Sequence, residues 1–320
     1  MSNPILVGYD PRTADRGPVS FGVAVARLTR VPLLVAAVEA HHRANGQVDE
    51  DLLADCTRAI EAIEAELRAA GLPVPADCRT LKSTSAARAL LEAAAGEEAA
   101  RLVVGSSRRS PHERVLAGWT AMRLLHGAPC PVSVVPRGWS GGEGLRTIGV
   151  ACADSEEGRE ALRAAHALAR RAGATLRVVT VITVSAGMYA EIEPSYKAGQ
   201  FGRDLEDVEG EHKLRAEKWL RQAVAQLDGD VPVEVEAFVG DPAETLVSLS
   251  EHLDLLVCGS RGYGPVGGVL LGSVSRRLAA EARCPLLVLP RGVRAPLDAL
   301  AAEPTPAESR SGGGLDQPVL

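Results

Sequence analysis

Gly259, Gly262, Gly272 and Ser273 are the residues of this chain best spaced to do chemistry together, standing as Gly-x2-Gly-x9-Gly-Ser. Before them, Leu255-Leu256-Val257-Cys258 is an apolar run with the length and makeup of a buried strand. After them, Val274, Leu278 and Ala282 fall four apart with Arg276 and Arg277 off that face, which predicts a helix. A strand, a glycine-rich loop and a helix start leave backbone N–H groups around a space where the helix dipole favours negative charge. That arrangement suits the holding of a phosphate. Bond-making chemistry has no comparable signal, since no Ser or Cys in an elbow motif has a His placed to activate it. His41 and His42 lack a Cys or carboxylate at ligand spacing and read as surface residues rather than a metal site.

The elements that must position this loop occur twice. APCPVSVVPRG at 128–138 and ARCPLLVLPRG at 282–292 are offset by 154, and at the same offset Val103-Val104-Gly105-Ser106 matches Val257-Cys258-Gly259-Ser260, and Gly118 matches Gly272. The front ends, Ile5-Leu6-Val7-Gly8-Tyr9 and Ile148-Gly149-Val150-Ala151-Cys152, are offset by 143. The second copy is thus longer by 11 residues (154 − 143), placed in a loop around 184–212. Each half reads as alternating strands and helices. Strands are predicted near 4–9, 33–38, 74–81, 101–105 and 132–136, and near 146–152, 175–182, 232–238, 254–259 and 286–290. Helices are predicted over 17–29, 49–70, 85–96 and 118–127, and over 156–172, 210–227, 242–252 and 272–282. Ser155 caps the helix at 156 and Gly173 ends it, while Asp241-Pro242 opens the helix at 242.

This alternation predicts an α/β fold of two tandem Rossmann-like domains with flavodoxin-like strand order, each a five-stranded parallel sheet with helices on both faces. The domains are 1–138 and 146–292, joined by a Gly-rich linker at 139–145 and followed by a disordered tail at 293–320. Gly105 and Gly259 each follow the fourth strand of their half, at the sheet edge where such folds bind ligands. Aromatics are 3% of the chain, so the cores must be aliphatic. A net charge of −6 without a basic stripe excludes nucleic acid as the main partner. No apolar run approaches a membrane span of about 18–20 residues, and residues 1–9 read as a strand rather than a signal peptide. Six cysteines without a C-x-x-C spacing predict buried free thiols in a reducing cytoplasm.

With Gly259-x2-Gly262-x9-Gly272-Ser273, Gly240-Asp241-Pro242 ahead of a helix, and the closing Cys284-Pro285-Leu286-Leu287-Val288-Leu289, residues 1–292 resemble a tandem universal stress protein of the ATP-binding type. The resemblance implies ATP, alone or with Mg2+, held on this loop. Gly259 and Gly262 would allow close approach, Gly272 would open the helix, and Ser273 would offer N–H and hydroxyl to the terminal phosphate. Arg261, Val274 and Ser275 are implied as further contacts. An Asp after the first strand approaches the nucleoside in this family, and backbone at the end of the second strand meets adenine, here Val181 and, in the first half, Val38. The family pairs the last strands of two domains across a two-fold axis. Residues 131–135 and 285–289 are therefore expected to pair within the chain as an intramolecular pseudo-dimer, with a homodimer of whole chains left open.

The halves depart from this pattern in opposite ways. In the first, Asp10 is in place, but the loop reads Gly105-x2-Arg108-x9-Gly118-Trp119, with Arg for the second glycine and Trp for the Ser. Arg108 restricts left-handed backbone and Trp119 would fill the phosphate space. In the second, the loop is intact, but Ala153 holds the Asp position and Asp154 lies one residue late. The expectation is a cytoplasmic stress-response protein that binds ATP mainly in its second half. It would sense or signal rather than turn over substrate, with slow hydrolysis or autophosphorylation left open. A nucleotide-free interaction scaffold is the alternative, and an α/β phosphoryl-transfer enzyme ranks last.

Overall fold

The computed structural model describes residues 3–40, 50–106, 119–141, 144–183, 201–260 and 271–290. The first half runs β1 (Ile5–Tyr9), α1 (Gly17–Thr29), β2 (Leu33–Ala40), α2 (Glu50–Ala69), β3 (Ala76–Ser83), α3 (Ala86–Gly96), β4 (Arg101–Gly105), α4 (Trp119–Gly127) and β5 (Val132–Val135). The second half runs β6 (Thr147–Ala151), α5 (Glu156–Ala172), β7 (Thr175–Ile182), α6 (Phe201–Val224) and β8 (Val233–Val239). It continues with α7 (Pro242–Leu249), a 3-10 turn (Ser250–His252), β9 (Leu255–Gly259), α8 (Ser273–Glu281) and β10 (Leu286–Leu289). The α/β class, the parallel sheets and the tandem arrangement are those read from the sequence.

All ten strands lie in one sheet, in the order β3-β2-β1-β4-β5-β10-β9-β6-β7-β8. Neighbours within each half are parallel; β5 and β10 meet antiparallel, pairing Val134 with Leu286, Ser133 with Leu287 and Val132 with Val288. Each half is therefore ordered 3-2-1-4-5, and the flavodoxin-like order, 2-1-3-4-5, is corrected. Burial explains why. The flavodoxin order would put the third strand at the centre of the sheet, whereas β3 exposes Asp77, Arg79 and Lys82 and has no fully buried residue. An edge place suits it, as it suits β8 with Glu234 and Glu236. β4 and β9 are buried over their first four residues and occupy interior places.

α1, α2, α5 and α6 cover one face and α3, α4, α7 and α8 the other. An apolar cluster on each face runs through both halves. Phe21, Val25 and Ile63 share one with Leu162, Leu168 and Leu220, and Leu90 and Leu124 share the other with Leu246 and Leu278. One helix differs from expectation. α6 begins at Phe201, inside the predicted loop 184–212 and ahead of the predicted start at 210. Phe201, Leu205 and Val208 already keep a helical period, so the extra length of the second copy is partly helix rather than all loop. Residues 184–200, the region 291–320 that holds the expected tail, and His41 and His42 lie outside the described residues.

β1 has β2 on one side and β4 on the other, and β6 likewise has β7 and β9. Consecutive crossovers part company there, leaving a crevice at the carboxyl ends of those strands.

Candidate functional site

In the second half the crevice is built on β9 and α8. The Ser260 N–H donates to the Leu289 carbonyl at 2.9 Å, and the Gly272 N–H donates to the Ser260 carbonyl, also at 2.9 Å. The Ser275 hydroxyl donates to the Gly259 carbonyl at 2.9 Å and reaches the Ser260 carbonyl at 3.4 Å. The two ends of the glycine-rich segment are thus pinned together, with the start of α8 held against the end of β9. Ser275 is buried, so its hydroxyl is spent on this latch. Gly272 is the N-cap residue and gives no side-chain cap, while Ser273 is exposed. The first-turn N–H groups of α8, those of Ser273 and Val274 foremost, have no intrahelical acceptor and stand with the positive end of the helix dipole. Arg261 and Gly262 lie outside the described residues.

β7 supplies the other wall. The Val179 carbonyl accepts the Cys152 N–H at 2.8 Å, so Val179 faces β6, while Ile182 faces β8 and accepts the Gly240 N–H at 3.0 Å. By the alternation of a strand, the N–H and carbonyl of Val181 point to the side of β6, which has ended at Ala151. Val181 thus presents backbone polar groups towards the crevice. Beside it Gly240, at φ +149°, leads into Asp241, whose carboxylate caps α7 by accepting the Glu244 N–H at 2.7 Å and meets Arg277 of α8 at 3.3 Å. Asp154 follows β6 but is drawn to Arg159 at 2.5 Å, with its side chain 56% exposed. Ala153 is packed on the first turn of α5, where a Cβ on Gly158 would lie 2.1 Å from the Ala153 carbonyl oxygen.

The thiols on the crevice floor are inert. Burial pushes Cys258 and Cys152 up to about 12 each, so neither is a thiolate at neutral pH. Among the described residues the arrangement offers hydrogen-bond donors to an anion.

The first half keeps the same strand ends, with residues 15–18 and 137–139 placed beside them. Asp15 Oδ1 accepts the N–H of Gly17 at 3.0 Å and of Gly138 at 3.3 Å, and the Arg137 N–H donates to Ser106 Oγ at 3.2 Å. A Cβ on Gly105 would meet Pro18 Cγ at 3.2 Å and Asp15 Oδ2 at 3.8 Å. Trp139 lies edge-on to Phe21 with ring centroids 5.5 Å apart. Asp10 is held by Arg12 through Nε at 3.0 Å and a second nitrogen at 3.1 Å, and caps its own turn by accepting the Arg12 N–H. Val38 on β2 corresponds to Val181 on β7 at the offset of 143, and each lies beyond the last residue that its strand pairs with β1 or β6.

Arg108 and Gly118, and the side chain of Trp119, lie outside the described residues, and the closure expected of Arg108 and Trp119 falls there; in the described part Asp15, Pro18 and residues 136–139 stand at these strand ends. Reading Trp139 as linker missed this. The signal was a large aromatic in a Gly-rich stretch, where a free linker has no use for one.

Compared with known proteins, the chain matches the model of the universal stress protein family twice, over residues 1–136 and 144–290. A universal stress protein of Mycobacterium tuberculosis is 28% identical over 298 residues, which is 89% of this chain and 99% of the relative. One of Thermus aquaticus is 34% identical over 147 residues, 45% of this chain and 98% of the relative. Among solved structures, a universal stress protein from Archaeoglobus fulgidus matches with a TM-score of 0.62 and 19% identity, covering 91% of this chain and 97% of that one, a likeness of fold.

Proposed function

The chain belongs to the universal stress protein family, and from that premise we propose that it is a stress-response protein that binds ATP in the crevice of its second half and acts by binding rather than turnover. The observation that carries this is the uncapped start of α8, pinned to the end of β9 by Ser260, Gly272 and Ser275, with the Val181 backbone turned to the same crevice. Phosphates would meet the N–H groups of Ser273 and Val274 and the Ser273 hydroxyl, and Arg261 and Gly262 are proposed as further contacts. Gly259 and Gly272 leave room for close approach, and the base would meet Val181. Among the described residues no group of three His, Cys, Asp or Glu is placed to hold a metal, so Mg2+ would ride on phosphate oxygens. Ser275 contributes by holding the loop, and Asp154 would reach the ribose only by leaving Arg159.

The first half, with Asp10 engaged by Arg12 and Gly105 covered by Asp15 and Pro18, is assigned no nucleotide. We place the boundary between the halves within 140–145, after Trp139, and read the β5–β10 pairing as a pseudo-dimer within one chain, working in the cytoplasm. No helix among the described residues is long and apolar enough to cross a membrane. One observation favours a second reading, a nucleotide-free scaffold: the pairing of Asp154 with Arg159 removes the usual nucleoside partner. Denaturing the pure protein and identifying any released nucleotide by mass separates the two. An adenine nucleotide supports binding, and no nucleotide together with no saturable uptake supports the scaffold. Steady phosphate release well above background would make the protein an enzyme instead.

A further inference from the structure

Arg101, the first residue of β4, is 1% exposed, and its Nε, Nη1 and Nη2 have no hydrogen-bond partner among the described residues. Ser133, in the middle of β5, is 0% exposed and its Oγ is likewise without a partner there. Both side chains project from the same face of the sheet, because Val103 and Val135, each two residues on, both belong to the apolar cluster under α1 and α5. The β4–β5 register sets Val103 opposite Ser133, so Arg101 is one diagonal step from Ser133.

The internal repeat isolates this pair. At the offset of 154, Arg101 corresponds to Leu255 and Ser133 to Leu287, two buried core leucines. The first copy has a guanidinium and a hydroxyl where the second has hydrocarbon, with a long side chain beside a short one. Ser133 also faces Leu287, its own counterpart, across the β5–β10 pairing, so the local two-fold passes through that pair and the polar site lies at the centre of the molecule.

Burial without a counter-charge is costly for any ion and is tolerated when a partner is present. Arg101 cannot escape by shedding its proton, since burial lowers it only to about 10. The one titratable group that acts on it among the described residues is Cys130, and burial pushes that thiol up to about 11, so it supplies no negative charge at neutral pH. Ser133 adds a hydroxyl donor. Donors without an acceptor, around a net positive charge, recognise an anion; a water molecule would satisfy the N–H groups and leave the charge.

We propose that Arg101 and Ser133 bind a small monovalent inorganic anion of about chloride size, enclosed between the central strands and the α1–α5 layer. The site is independent of the nucleotide crevice, and the anion completes the core at the junction of the halves. The test follows thermal unfolding of the full chain in sodium chloride and in sodium gluconate at equal ionic strength. Chloride should raise Tm by about 2–4 °C, and Arg101→Leu, which copies the second half, should abolish that difference. Should the variant not fold, wild-type crystals soaked in bromide decide. An anomalous peak within hydrogen-bond distance of the Arg101 guanidinium and Ser133 Oγ is expected. Equal Tm in the two salts, a chloride effect that Arg101→Leu retains, or a bromide soak with no peak at that place would each overturn the proposal.

Discussion

Gly272 has φ −62° and ψ 156°, a conformation open to any residue, so a side chain there would change the space over the start of α8 and not the backbone. Gly158 is the opposite case. It has no role in the crevice, but a Cβ would press on the Ala153 main chain, at 2.1 Å from the oxygen and 2.8 Å from the nitrogen. Gly158→Ala should therefore cost about 2–4 kcal/mol, read from urea midpoints, while Gly272→Val should melt close to the wild type. The glycine spacing was legible in the sequence; which glycines serve conformation, packing or a ligand was not, because that depends on what sits over each Cα. His166 gives a residue-scale pH effect. Burial, with Arg170 nearby, lowers its pKa below 6.5. The unfolded chain therefore takes up the proton first, and stability should be full above pH 6.5 and fall as pH drops below it. His166→Gln should flatten that acid limb in unfolding midpoints measured from pH 7 to 5.

At the scale of elements, the start of α7 joins two parts of the crevice. Asp241 caps the helix and meets Arg277 of α8, although the exposure of that ion pair keeps its own worth small. Asp241→Ala should lower stability by about 1 kcal/mol, while Asp241→Asn, which keeps a cap, should lose much less; urea unfolding of the two variants checks this. That cap and Pro242 were readable as a local signature, as were Ser155 and Gly173 around α5. The place of β3 was readable in principle, since its charges suit an edge, yet strand succession alone does not carry strand order. The start of α6 differs from the expected position because the extra length of the second copy and the local period of Phe201, Leu205 and Val208 point to different boundaries. The closure of the first crevice shows a different limit. Asp15, Pro18 and Gly138 come together only through the fold, and no spacing between positions 15 and 138 announces it.

At the scale of the whole molecule, one sheet and two apolar clusters span both halves, so the chain should unfold as a unit and respond to pH as a unit. Burial pushes Cys78 and Cys130 up to about 11 and Cys152, Cys258 and Cys284 up to about 12, from an unfolded value of 9.0. Folded pKa values above the unfolded one mean stability complete below pH 9 and lost as pH rises towards 11–12, at about 1.4 kcal/mol per pH unit for each thiol. Urea midpoints at pH 8, 9 and 10 should fall accordingly, and Cys258→Ala should make the fall shallower. The register of β5 against β10, centred on Ser133 and Leu287, has no signature in either strand alone. The duplication itself was plain in the sequence, and the proposed function turns on its asymmetry among the described residues: the second half has an uncapped α8 start, while the first has Gly105 against Pro18 and Asp15. Titration of the full chain with labelled ATP tests that most directly. Saturable binding of one ATP per chain, weakened at least tenfold by Gly272→Val and unchanged by Gly105→Ala, is the predicted result. Two equivalents per chain, no saturable binding, or binding indifferent to Gly272→Val would contradict it.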